Sequence, residues 1–355
     1  MKTSKLLAQG SYGCVYFPGY SCSGETKQPT YVSKLSRDDK PSKVEYNMGK
    51  RVKKIPNYRK HFIIIDKQCK LKKKKIEDIK EGCEFINKRD YPSYVLLYSK
   101  YLESKELADV LANNVTDYYK LIQMADSLFN RVTELYSVGI IHMDLHFGNV
   151  LVSKKNERLY VIDFGLALDV NRFYKGGNIN LAYLKDKWFG YKTDWPSWSL
   201  EYIFISLMVK ENQALTNKNI LSTITEYYNN NNVLSYYLDD SYIKNAYKFY
   251  KPFSNNSTEH NIRTLLQYTN TWDYYKLAYH FLSYMRRKTI IFDELKWLLL
   301  LFTHPNPEYR PTAVELKEHF HNYLECFNEY KSKKIYKEEG SAILKAELSN
   351  SIKDN

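Results

Sequence analysis

The sequence predicts an α+β protein in two parts, a small β-rich region followed by a larger helical one. Three observations carry that prediction. Short β-rich runs fill the first hundred residues or so, a single amphipathic helix interrupts them, and from about residue 103 onward apolar residues recur at helical spacing.

The β-rich runs are Leu6-Leu7-Ala8, Gly13 to Phe17, Tyr31 to Leu35, Phe62 to Ile65 and Tyr94 to Tyr98, each bounded by turn-forming residues. Between the third and fourth, Pro41-Ser42 opens a helix whose Val44, Met48, Val52 and Ile55 fall on one face. In the second part, Leu121, Ala125, Leu128, Val132 and Leu135 draw a long stripe, with Thr116 as its N-cap and Gly139 as its stop. Two short strands follow, Val150 to Ser153 and Leu159 to Ile162. Helical patterns then resume at Ser199 to Val209 and Glu294 to Phe302. These readings set the expected organisation: residues 1–100 as the first lobe, 101–324 as the second with an irregular insertion at about 210–290, and 325–355 as a charged tail.

The 355 residues, 44% hydrophobic and 26% charged, are enough to bury one large core or two moderate ones, which excludes disorder of the whole chain. No apolar stretch approaches the roughly 20 residues that cross a bilayer, so no membrane partner is expected, and the N-terminus develops no signal-peptide core. Five cysteines at wide spacing form no CxxC pair or zinc-type cluster, a pattern that fits a reducing, cytoplasmic-type compartment. A net charge of +13 favours acidic partners. Its densest expression, Lys70-Leu-Lys-Lys-Lys-Lys75, reads as a solvated loop in preference to a nucleic-acid site.

Chemistry concentrates in four strings. Leu7-Ala-Gln-Gly10-Ser-Tyr-Gly13-Cys-Val15 is a glycine-bearing turn of the kind that lets backbone approach an anionic ligand, although a plain hairpin turn would look the same. Tyr31-Val-Ser-Lys34 ends on a lysine. The third string is Ile140-Ile-His142-Met-Asp144-Leu-His146-Phe-Gly-Asn149, and the fourth is Leu159-Tyr-Val-Ile-Asp163-Phe-Gly165. Together these resemble the protein kinase superfamily: its glycine loop, its V-A-I-K strand, its H-R-D-L-K-x-x-N loop and its D-F-G, in the same order. Pro305-Asn-Pro307-Glu-Tyr-Arg310-Pro-Thr312-Ala313 resembles the family's closing D-P-x-x-R-P-T-A. The likeness covers about residues 5 to 322. Within the superfamily, the Asp-Leu-His-Phe-Gly-Asn and Asp-Trp-Pro-Ser-Trp-Ser-Leu-Glu strings look like serine/threonine kinases of large DNA viruses, which would place the protein in the host cytoplasm or the virion.

The resemblance implies a bilobal fold, ATP and Mg2+ as cofactors, and a protein substrate. It implies Asp144 as the catalytic carboxylate, Lys34 paired with Glu45 on the first helix, and Asn149 and Asp163 as metal ligands. Leu7, Ala8, Gln9, Gly10, Ser11, Tyr12, Gly13, Cys14 and Val15 would cover the nucleotide, and backbone groups of Lys100 and Leu102 would meet adenine. His142 is read as a packing histidine that bonds backbone.

Departures from the pattern also bear on function. Met143 stands at the family's arginine position, which makes the chain non-RD. His146 stands where serine/threonine kinases carry a lysine, so activity reduced or dependent on pH is expected there. Asp194-Trp-Pro-Ser-Trp198-Ser-Leu200 resembles D-x-W-S-L-G only with Pro196 at the aspartate position, leaving Asp194 as the candidate replacement. No A-P-E is visible, and Arg310 has no evident partner. A serine/threonine kinase is the reading these residues favour. A catalytically impaired pseudokinase scaffold and a small-molecule phosphotransferase stay open.

Overall fold

The computed structural model describes residues 4–10, 13–22, 27–71, 82–84, 93–113, 118–288 and 293–333. Ser11, Tyr12, Thr116, Lys72 to Lys75 and the tail beyond Lys333 lie outside them. The chain divides into two compact units. Residues 1–113 and 147–167 form one, and 114–146 with 168–355 form the other. The first is β-rich and the second helical, the bilobal α+β organisation expected. The boundary does not fall at residue 100, because the chain returns to the first unit at residues 147–167 and supplies two of its strands.

In the first unit a five-stranded antiparallel sheet contains β1 (Lys5–Gly10), β2 (Gly13–Phe17), β3 (Tyr31–Arg37), β4 (Lys67–Leu71) and β5 (Tyr94–Lys100), in the order β1-β2-β3-β5-β4. Helix α1 (Lys40–Val52) starts where a reciprocal capping box forms. The Asp39 carboxylate accepts from Ser42 N–H, the Ser42 hydroxyl from Asp39 N–H, and Pro41 presets the first turn. Residues 62–65 were expected as a strand and are not one. Phe62 makes a single bridge to Val161, while Ile64 and Ile65 are buried. The sheet's outer strand is instead β4, so Lys70 belongs to a strand and pairs with Asp38 at 2.9 Å. Phe62-Ile-Ile-Ile65 reads as a strand from its β-branched apolar content, whereas β4, Lys67-Gln-Cys-Lys-Leu71, is mostly polar and exposed and gives no such signal.

The cysteine spacing concealed a pairing that closes only in the fold. Cys14 on β2 is bonded to Cys83, and Cys22 to Cys69 on β4. A second sheet follows from β6 (Ser104–Glu106), which leads into α2 (Leu107–Ala112), and from β8 (Val150–Ser153) and β9 (Leu159–Val161), with β8 central.

The second unit is built on α3 (Tyr118–Ser137), whose predicted stripe is wholly buried. Its Phe129 packs on Tyr274, Phe302 and Phe320 at ring separations of 5.7, 5.0 and 5.6 Å. Short β7 (Ile140–Ile141) pairs with β10 (Leu168–Asp169). Helices α4 (Leu181–Lys187), α5 (Leu200–Lys210), α6 (Asn217–Asn230), α7 (Ser241–Tyr250), α8 (Thr258–Leu265), α9 (Trp272–Arg287), α10 (Asp293–Phe302) and α11 (Ala313–Lys333) complete it. Helix α11 runs past residue 324, so the charged tail begins later than expected. Residues 210–288, expected as part of an irregular insertion, are mostly helical, and α9 is nearly all buried. No described helix is long and apolar enough to cross a membrane.

Candidate functional site

Two constellations carry the predicted residues, one in each unit. In the first unit, register decides which side chains share a face. Ala8, Val15, Lys34 and Leu97 are successive partners across β1, β2, β3 and β5, and residues directly opposite in a sheet project to the same side. The glycine turn and the lysine are therefore neighbours by construction. Gly10 and Gly13 pair where the turn closes. Gly13 has φ of +149°, and a Cβ there would lie 2.1 Å from the Leu35 carbonyl oxygen, so no other residue fits. Gln9 accepts from Glu84 N–H at 3.2 Å, while Leu7 sits at a register shift with an exposed side chain.

Lys34 Nζ lies 3.0 Å from Glu45 Oε2 and 3.2 Å from Asp163 Oδ2. Glu45 is buried on α1, the position given it from sequence 11 residues after the lysine. Burial works against the Lys34 ammonium, but the carboxylates of Glu45 and Asp163 outweigh it and hold its pKa above the ordinary lysine value. The ammonium is thus permanently charged. Asp163 follows β9 with φ of 60°, a left-handed conformation uncommon outside glycine, and its Oδ1 accepts from Gly165 N–H at 3.2 Å. Asn149 precedes β8, and its carbonyl accepts from Ile162 N–H at 3.0 Å, which brings the Asn149 and Asp163 positions to one end of the β8–β9 hairpin. Lys100 closes β5 opposite Tyr31, and the Leu102 carbonyl accepts from the Ser104 hydroxyl.

The described residues contain no cluster of three or more His, Cys, Asp or Glu able to hold a metal. One carboxylate and one amide oxygen nevertheless suit Mg2+, which commonly takes one or two protein ligands and completes its shell with phosphate and water.

The second constellation surrounds Asp144. Met143 has φ of 64°, a strained conformation for a residue with a side chain. Its peptide is held from both ends. The N–H donates to Asp273 Oδ1 at 2.9 Å, and the carbonyl accepts from Lys276 Nζ at 2.8 Å and Trp198 Nε1 at 3.3 Å. The other Asp273 oxygen accepts from His142 N–H at 2.6 Å. His142 is fully buried and takes Asp144 N–H on its Nδ1 at 3.3 Å, the packing role expected of it. Burial raises the Asp273 carboxyl, and His142, the two amides and Lys276 pull it back. Asp144 Oδ1 lies 3.7 Å from Lys276 Nζ, and Oδ2 lies 3.8 Å from His146 Nε2.

The acid that anchors this loop is Asp273, and Asp194, the residue expected in that position, is exposed. A signal was present: Asp273-Tyr-Tyr-Lys-Leu-Ala278 repeats the D-x-W-S-L-G spacing of acid, aromatic, leucine and small residue. It was hidden by the match at Asp194-Trp-Pro-Ser-Trp, which fits the aromatic positions better. The partner of Arg310 is Glu201, in Trp198-Ser-Leu-Glu201. The two side chains are fully buried, joined at 3.1 and 2.9 Å through separate nitrogens and oxygens. Glu201 thereby fills the place of the missing A-P-E glutamate.

A β-sheet bearing a glycine turn and a doubly clamped lysine, joined to a helical unit that fixes an aspartate beside a strained peptide, defines the bilobal kinase class. A profile of the protein kinase domain matches residues 1–322, and the chain belongs to that family of phosphate-transferring enzymes. No curated protein matches it.

Proposed function

We propose that this chain is a serine/threonine-protein kinase that transfers the γ-phosphate of ATP to hydroxyls of a protein substrate. The observation that carries the reading is the Lys34 ammonium clamped between Glu45 and Asp163. Its fixed charge, one strand from the glycine turn, suits the α- and β-phosphates. Mg2+, held by Asn149 and Asp163, would neutralise charge on the transferring phosphate. Asp144 orients the incoming hydroxyl and accepts its proton as the oxygen–phosphorus bond forms and ADP leaves. The Asp-Leu-His-Phe-Gly-Asn string and the preference for serine and threonine go with kinases of large DNA viruses, a narrower likeness that belongs to the same proposal.

The test is incubation with Mg2+ and γ-labelled ATP against casein, histone and the protein itself. Label is expected on protein serine or threonine, with a fall on the order of 10²- to 10⁴-fold in the Asp144→Asn variant. Nucleotide binding without transfer, or transfer unchanged in that variant, refutes the reading.

A further inference from the structure

Lys276 is a buried lysine on α9, with about 7% of its side chain exposed. Its ammonium reaches the Met143 carbonyl at 2.8 Å and Asp144 Oδ1 at 3.7 Å, and it lies over the Trp198 ring at 5.5 Å. Burying an ammonium is costly, and here the Met143 carbonyl and the carboxylates of Asp144 and Asp273 offset that cost. Burial pulls the ammonium toward neutrality, and Asp144 and Asp273 oppose it. Within the loop, His146 Nε2 lies 3.8 Å from Asp144 Oδ2, an imidazole that is charged only when protonated.

We infer that Lys276 is the cationic positioning residue of Asp144, supplying from helix α9 the fixed positive charge that the loop lacks at His146. The inference rests on the phosphotransfer reading. Oδ1 faces the ammonium at 3.7 Å, an ion-pair distance that favours this orientation of the carboxylate. Because the same ammonium bonds the Met143 carbonyl, the peptide before Asp144 and the carboxylate are located by one atom. Reduced activity from the His146 position does not follow once the cation comes from another element.

The test compares Lys276→Met, Lys276→Arg and a Lys276→Met/His146→Lys double variant with wild type, by steady-state kinetics and tryptophan-detected unfolding. Lys276→Met is expected to lose about 10- to 100-fold in kcat with the KM for ATP within twofold and a single cooperative unfolding transition retained. Lys276→Arg recovers part of the rate. The double variant, with a lysine returned to Asp144 from the loop, recovers at least tenfold, which a role confined to holding the Met143 carbonyl would not give. An unchanged kcat in Lys276→Met, or a loss that His146→Lys does not restore, overturns the inference.

A second readout needs no turnover. In lysine-13Cε-labelled protein, with the Lys276 signal assigned by its absence in Lys276→Met, Asp144→Asn is expected to lower the pH at which Lys276 titrates. The groups facing it are Asp144 and Asp273, with His142, His146 and His280 near them, and only Asp144 is changed. No shift means no ion pair and overturns the inference even if wild type transfers no phosphate. Absent transfer by wild type with the shift present refutes the function reading alone.

Discussion

Glu201→Gln is the perturbation whose size the structure constrains best. It removes one charge and almost no volume. In the native unit Arg310 gives two bonds to Glu201 and others to the His304 carbonyl and Thr271 hydroxyl, while the Tyr250 hydroxyl donates to Glu201 at 2.7 Å. The guanidinium cannot escape by losing its proton: burial disfavours its charge, but Glu201 more than compensates and holds the pKa above the ordinary arginine value. The variant therefore leaves a buried cation without its anion, a change that costs about 3–5 kcal/mol. For a unit of this size each kcal/mol moves the melting temperature by about 2–4 °C, so a fall near 10 °C is expected. All five tryptophans (Trp188, Trp195, Trp198, Trp272 and Trp297) lie in the second unit, so their fluorescence reports its unfolding alone. Urea titration followed by this signal should show a lower midpoint at constant slope. A Glu201→Leu/Arg310→Met double variant, with neither charge, should regain much of the loss. A Glu201→Gln loss below about 1 kcal/mol, or a double variant worse than the single, refutes the argument that charge compensation holds this contact.

Three further outcomes follow from the geometry. Asp273→Asn keeps one acceptor oxygen for two amides, so one buried N–H at His142 or Met143 goes unmet; expressed in the barrier, the roughly 1–3 kcal/mol penalty lowers kcat about 10- to 100-fold, measured with the KM for ATP as the unaffected control. His280 has its pKa pushed down to about 3 by burial, with Lys276, His146 and Arg287 adding repulsion. Its folded state excludes a proton that the unfolded chain accepts near pH 6.5, so the stability it contributes is present above pH 6.5 and lost as pH falls toward 3. Because His280 is only partly buried as a residue, the expected loss by pH 4 is about 2 kcal/mol instead of the full value, and His280→Gln should flatten it in urea midpoints. Reduction of Cys14–Cys83 and Cys22–Cys69 opens loops of 69 and 47 residues in sequence separation and should cost about 2–4 kcal/mol for either bond, with thiol titration of unfolded, unreduced protein finding no more than one thiol per chain.

The residues legible in the sequence were those whose position is fixed by short spacing along the chain. Lys34 ends a strand, Asp144 and Asn149 share one loop, and Asp163 follows the next strand, so local strings locate them. Glu45 was singled out the same way, because it is the first acid on the helix opened by Pro41-Ser42, the nearer Asp38 and Asp39 lying in the turn before it. What escaped were the partners brought by tertiary folding from far along the chain. Asp273 reaches His142 across 131 residues, Lys276 reaches Met143 across 133, and Arg310 reaches Glu201 across 109. At such separations nothing in local periodicity distinguishes a buried functional carboxylate from a capping one. Cys14 and Cys83 failed for the same reason, since disulfide geometry depends on strand order and not on sequence spacing.

The strained peptide at Met143 ties these long-range contacts to one physical requirement. A left-handed residue with a side chain costs on the order of 1–2 kcal/mol and would relax if its backbone groups were free to choose other partners. Here its N–H is committed to Asp273 and its carbonyl to Lys276 and Trp198, so relaxation would break three bonds at once. Two of those three partners come from α9, a helix buried along nearly its whole length and therefore unable to shift toward solvent. The direction in which Asp144 leaves the loop is thus set by the packing of a helix some 130 residues later, and the helix carries polar residues inward because that peptide needs them.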